Sequence, residues 1–175
     1  MQKDKPILFI LSGLPACGKS TLSKFIAKEY NAVYLKIDTI EQKLRDLYNF
    51  DVSGEGYHLA YSIADDNLKL GHHVVSDSCN PINITRKEWE KVAIENECLF
   101  INIETVCSNK QEHRERVETR KSETKGLKLP TWEEVENREY HLWKTKRITI
   151  DTAEKSIEES CVELRNKIQQ YLKAE

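Results

Sequence analysis

Residues Gly13-Leu14-Pro15-Ala16-Cys17-Gly18-Lys19-Ser20-Thr21 carry the complete spacing G-x-x-x-x-G-K-S, which combines the residue types needed to hold phosphate. Glycines let the backbone approach an anion closely, so that successive N–H groups and the start of a helix point at it. In that setting Lys19 is expected to reach the β and γ phosphates, and the Ser20 hydroxyl to hold magnesium bridging the same two groups. The chemistry implied is binding of a nucleoside triphosphate with magnesium. Cys17 occupies a variable position of the loop. A thiolate near a helix N-terminus can have a lowered pKa, but bound nucleotide would cover this one.

A phosphate loop works only between a strand and a helix, and the flanking sequence supplies both. Ile7 to Leu11 is a continuous apolar run, the pattern of a strand buried on both faces of a parallel sheet. After Lys19, Leu22, Phe25 and Ile26 recur at helical spacing up to Asn31. Alternation continues with strands expected at Ala32 to Ile37, His73 to Ser76, Leu99 to Val106 and Ile148 to Ile150. Helices are expected at Ile40 to Tyr48, Gly56 to Leu70 with Gly71 at its end, 84–95, Asn109 to Arg120 and Ser156 to Leu172. Strands separated by helices predict an α/β fold, a mainly parallel five-stranded sheet with helices on both sides.

The chain has 175 residues, room for one well-formed core, and we read 1–175 as a single domain. A net charge of −2 gives no overall field that would draw the protein to nucleic acid or anionic lipid, so a nucleic-acid partner is disfavoured and any basic site must be local. Lys3 and Lys5 precede the first apolar run, which is far too short for a membrane span and leads straight into the phosphate loop. A cytoplasmic protein is expected. Five scattered cysteines with no C-x-x-C pair favour neither a disulfide frame nor a zinc knuckle.

With this loop, Ile37-Asp38-Thr39 after the second strand and Val74-Val75-Ser76-Asp77-Ser78-Cys79-Asn80-Pro81 at the third, the chain resembles the small P-loop kinases of the AAA-33 type, relatives of polynucleotide kinase, chloramphenicol phosphotransferase and zeta toxin. The resemblance runs from Pro6 to about Ile157. It implies a three-layer, nucleoside-kinase-like P-loop NTPase fold with a short helical lid at about 109–131, ATP with magnesium as cofactors, and phosphoryl transfer to a small hydroxyl acceptor, by a monomer or a homodimer. Asp38 stands where such kinases aim the acceptor hydroxyl, although it could equally cap the helix expected from Ile40. Asp77 stands where a carboxylate holds magnesium or touches substrate. Arg116 and Arg120, four apart on one helix face, match the lid arginines that neutralise the transferred group, with interleaved Glu112, Glu115 and Glu118 offering a plain ion-paired helix instead. The stretch from Lys121 to Pro130 fits a mobile lid tip. Thr152, in Asp151-Thr152-Ala153, matches the border of the nucleotide base, and Arg45, Tyr57 and Tyr61 are acceptor-side candidates.

Other features have plainer readings. His72 and His73 are adjacent, so a strand would point them to opposite faces. Trp132, Tyr140 and Trp143 follow the lid and are expected to anchor it rather than stack on a base. Asn109-Lys110-Gln111-Glu112 nearly spells a guanine-binding signature but ends in Glu, and adenine is preferred on the resemblance. A second functional reading is a nucleotide-binding ATPase or sensor module whose lid movement a partner protein reads.

Overall fold

Ile7, Phe9 and Leu11 face one side of a strand while Leu8 and Ile10 face the other, and all five are buried. That strand, β1 (Ile7–Ser12), is the centre of a sheet. The computed structural model describes residues 5–49 and 51–174; the leader with Lys3 lies outside them. Four further strands, β2 (Val33–Lys36), β3 (Val74–Asp77), β4 (Leu99–Val106) and β5 (Ile148–Asp151), pair in the order β2-β3-β1-β4-β5. Every pairing is parallel, with Ile10 opposite Ser76 on one side and Asn102 on the other.

Parallel pairing needs covered faces, and among the described residues seven helices intervene or follow: α1 (Lys19–Glu29), α2 (Ile37–Tyr48), α3 (Glu55–Lys69), α4 (Asn83–Glu95), α5 (Lys110–Thr119), α6 (Trp132–Glu136) and α7 (Ile157–Ala174). On one face Leu22 and Ile26 of α1 and Leu164 and Ile168 of α7 pack on Phe9, Leu11, Ile103 and Ile150. On the other, Ala60 and Ala64 of α3 and Trp89 and Ala93 of α4 pack on Leu8, Ile10 and Val74. The two cores make the three layers that the alternation predicts.

Two expectations shift. The helix expected from Ile40 begins at Ile37, so Asp38 lies in its first turn and Lys36 takes the cap position. Asp38 is therefore not a cap. The short α6 was not expected; Thr131 and Glu134 form a capping box that starts it.

The opening turn of α4 also fixes an irregular connection. Arg86, buried, donates to the carbonyls of Asn80 (2.9 Å), Pro81 (3.2 Å) and His141 (2.9 Å). Its guanidinium stacks on Trp143 and Tyr140 at 4.1 and 4.9 Å from the ring centroids. Tyr140 and Arg147 both donate to the buried carboxylate of Glu104 on β4. The aromatics after the lid are anchors, as expected.

Trp89 is fully buried, its ring edge-on to Tyr61 at 4.7 Å, and its indole N–H finds no acceptor. Trp89→Ala should lower the melting midpoint by about 10 °C through the cavity it opens. Trp89→Phe should cost clearly less, because it keeps an aromatic ring there and removes an unpaired donor. Equal losses in calorimetry would contradict this packing.

Candidate active site

The phosphate loop leaves β1 at its carboxyl end, between β3 and β4, where ligands of open parallel sheets bind. Gly13 has φ 141°, and a Cβ there would lie 2.2 Å from the Thr105 carbonyl oxygen and 2.8 Å from Cys17 Sγ, so no side chain fits. Gly18, which caps α1, and Ala16 are left-handed as well, at φ 94° and 66°. Such a run turns backbone N–H groups inward as an anion-binding nest. The loop is held from outside. Gly13 N–H donates to the Cys79 carbonyl (3.0 Å), Thr152 Oγ1 donates to the Cys17 carbonyl (3.1 Å), and His113 Nε2 contacts the Pro15 carbonyl (2.8 Å).

Lys19 is 8% exposed and its ammonium donates to the Leu14 carbonyl at 2.8 Å, across the loop. Burial opposes its charge, yet Cys79, Cys17, Asp77 and Asp38 around it tip the balance and raise its pKa. Cys17 behaves oppositely to a reactive thiol. Burial pushes it up, so it stays protonated at neutral pH and fills its loop position as an inert side chain.

A single cleft of about 660 Å³ opens above the loop, within the usual range for small-ligand sites. Pro15, Ala16, Gly18, Lys19, Ser20 and Thr21 line its floor, with Asp77 at the end of β3 and Thr152 after β5. Leu14 and the buried Cys17 and Gly13 shape the loop from beneath. Asp38 and Arg45 of α2 line one wall and Arg116 and Arg120 of α5 the other. The structure thus brings together every catalytic and metal candidate read from the sequence. Tyr57 and Tyr61 do not line the cleft. The Tyr57 hydroxyl accepts from Asn80 N–H (3.2 Å), and the Tyr61 hydroxyl donates to the Thr85 carbonyl beside Trp89 (3.3 Å). Thr152 lines the cleft, but its hydroxyl is engaged with Cys17, Val106 and Arg116.

The two lid arginines differ. Arg116 is tied to Glu112 and to both the hydroxyl and carbonyl of Thr152. Arg120 has a buried Nε with no hydrogen-bond partner. Burial lowers its pKa, against the attraction of Cys79, Asp38 and Cys17. A guanidinium with a free donor beside such a nest has the geometry to grip an oxyanion.

Ser20 and Asp77 both line the cleft and offer hard oxygen atoms. That suits magnesium, which takes few protein ligands and completes its shell with water and phosphate. Asp77 is 4% exposed, and one of its oxygens accepts from the Tyr34 hydroxyl at 2.6 Å. Burial and Asp77 raise the Tyr34 pKa, so the donor keeps its proton.

Tyr34, Lys36, Glu41, Glu123 and Arg138 escaped the sequence reading. Tyr34 and Lys36 share one face of β2, four and two residues before Asp38, a spacing that could have flagged them. Arg138 lies beyond α6 in irregular chain, where no periodicity points to it. Asn109 is only a cap: its side chain accepts from Glu112 N–H and donates to Glu154.

A sequence profile described as an AAA domain, AAA_33, matches residues 8–138. The chain belongs to the AAA_33 family. No curated protein matches this family member in sequence. Among solved structures it is similar to a protein of Chloroflexus aurantiacus j-10-fl assigned as a kinase, at TM-score 0.73 and 20% identity over 95% of this chain and 98% of that one. It is also similar to a gluconokinase of Sinorhizobium meliloti 1021 (0.67, 12%, 98% and 99%) and to the APS kinase of Mycobacterium tuberculosis in complex with AMPPNP and APS (0.68, 17%, 95% and 99%). These likenesses establish the three-layer P-loop NTPase fold of kinase type. Among the described residues no helix is long and apolar enough to cross a membrane.

Tyr34→Phe should raise the magnesium concentration for half-maximal nucleotide binding about tenfold, because Asp77 loses the donor that orients it. Fluorescence titration with a labelled ATP analogue measures this, and an unchanged midpoint would separate Tyr34 from the metal.

Proposed function

We propose that this AAA_33 protein is a phosphotransferase that moves the γ-phosphoryl group of ATP to a hydroxyl of a small acceptor. The observation that carries the proposal is the placement of Asp38: exposed on the cleft wall, free of a capping role, and electrostatically coupled to Lys19 and Arg120 across the cleft. A module that only bound or hydrolysed nucleotide would not need a carboxylate there. The kinase fold and its AMPPNP-bound relative support the nucleotide half of the reading.

Asp38 accepts the acceptor's hydroxyl proton late in the step, while the bond from that oxygen to the γ-phosphorus forms and the bond to the β–γ bridging oxygen breaks. The loop amides and Lys19 hold the phosphate chain in line. Arg120, the arginine with an unspent donor, neutralises charge on the transferred group, while Arg116 fixes Thr152 and through it the loop. Magnesium, held through Ser20 and Asp77, would supply charge neutralisation at the β and γ oxygens. The lid excludes water, so transfer outruns hydrolysis.

Transfer from γ-labelled ATP should fall about 10²- to 10⁴-fold in Asp38→Asn and about 10³-fold or more in Arg120→Ala. ATP affinity in Asp38→Asn should change little. If no hydroxyl compound is labelled, and slow hydrolysis is the same in Asp38→Asn as in the parent, the protein is an ATPase or sensor module instead.

A further inference from the structure

The acceptor can be narrowed, on the strength of the kinase reading, by the charge of the cleft. The protein carries 27 Lys and Arg against 29 Asp and Glu, yet its cleft is lined by nine cationic side chains and four carboxylates. Arg116 and Lys155 are matched by acids behind the wall, Glu112 and Glu163. Seven cations then face four carboxylates, a surplus of three. ATP with one magnesium brings a charge of about −2 and leaves cationic field over, so the cleft suits a second anion.

The surplus lies away from the loop. Arg138 makes no side-chain hydrogen bond or ion pair among the described residues, and its electrostatic neighbours are the Arg120 guanidinium and the exposed Glu134 carboxylate. Lys128 of the lid has no ion pair there either. Arg45 shares one carboxylate, Glu41 at 3.2 Å, whose own pKa burial pushes up. Guanidiniums set together in this way disfavour a neutral ligand and suit an oxyanion, which each fork can grip with two N–H groups.

The lid sets the size. Glu123 reaches from the lid tip to Lys24 of α1 and Lys36 of β2, and Gly126 rests on Gln42 of α2. The lid tip thereby lies against β2 and α2, the elements beside Asp38.

We infer that the acceptor is a small hydroxyl compound carrying an oxyanion of its own, a phosphate ester or a carboxylate, held between Arg138 on the lid side and Arg45 on α2. The group that receives the phosphoryl lies at Asp38, and the oxyanion anchors the rest of the molecule.

The test fills the loop with AMPPNP and magnesium, then titrates four probes by calorimetry: ribose 5-phosphate against ribose, and glycerate against glycerol. Saturable binding of at least one anion, at least about tenfold tighter than its neutral parent, is expected. Arg138→Gln and Arg45→Gln should each weaken it about tenfold or more, and Arg138→Lys should restore part. The phosphate and carboxylate arms tell which oxyanion the site prefers. In transfer assays with the anion that binds, the variants should raise the acceptor's KM far more than that of ATP. Melting curves confirm that both variants fold. Equal affinity for neutral and anionic probes, no saturable anion binding, or binding indifferent to both arginines would overturn the inference. Anion binding without any transfer would sink the kinase reading alone, whereas transfer to ribose as efficient as to ribose 5-phosphate would sink this inference alone.

Discussion

A buried ammonium and a ring of inward-facing amides are costly to assemble unless an anion fills them. Lys19 and the left-handed turn at Gly13, Ala16 and Gly18 impose that constraint on this fold. Much of what surrounds the loop serves to keep it formed in the meantime. The Cys79 carbonyl takes the Gly13 amide, Thr152 and His113 engage two loop carbonyls, and the Leu14 carbonyl takes the lysine itself. Three of these contacts come from outside the loop, from the segments after β3 and β5 and from α5, so the sheet's carboxyl edge helps to define the loop alongside its own nine residues.

The same edge explains how the lid divides its work. α5 is laced with ion pairs, Glu112 with Arg116 and Arg114 with Glu118, while Arg120 at its C-cap has a buried Nε with no hydrogen-bond partner. Arg116 serves as structure because Thr152 and Glu112 have already satisfied it, whereas Arg120 retains a donor with nothing to meet. The clasp of Glu123 on Lys24 and Lys36 lies in water, where ion pairs hold weakly.

Much of this was legible from residue order. The strand-loop-helix at the start, the alternation that dictates a parallel sheet, and the positions of Asp38 and Asp77 at strand ends all follow from periodicity and motif spacing. What stayed hidden depends on tertiary approach. Arg138 reaches the cleft because Arg86, Trp143 and Glu104 latch the irregular chain after α6, and that latch joins residues far apart in sequence. Tyr57 and Tyr61 are acceptor-side candidates through the family resemblance, because they open the helix after the loop at 51–56. Their hydroxyls instead serve the Asn80 turn and the α4 backbone, a choice set by packing against Trp89. The assignment of Arg120 over Arg116 likewise rests on which guanidinium has partners, a property no spacing rule contains.

The measurement that bears most directly on the central claim is a calorimetric comparison of magnesium with AMPPNP, ADP and adenosine binding to the parent protein and to Lys19→Ala. The account predicts affinity that rises with the number of phosphates and a loss of about a hundredfold or more for AMPPNP in Lys19→Ala. Equal affinity for adenosine and AMPPNP, or AMPPNP binding untouched by Lys19→Ala, would contradict it.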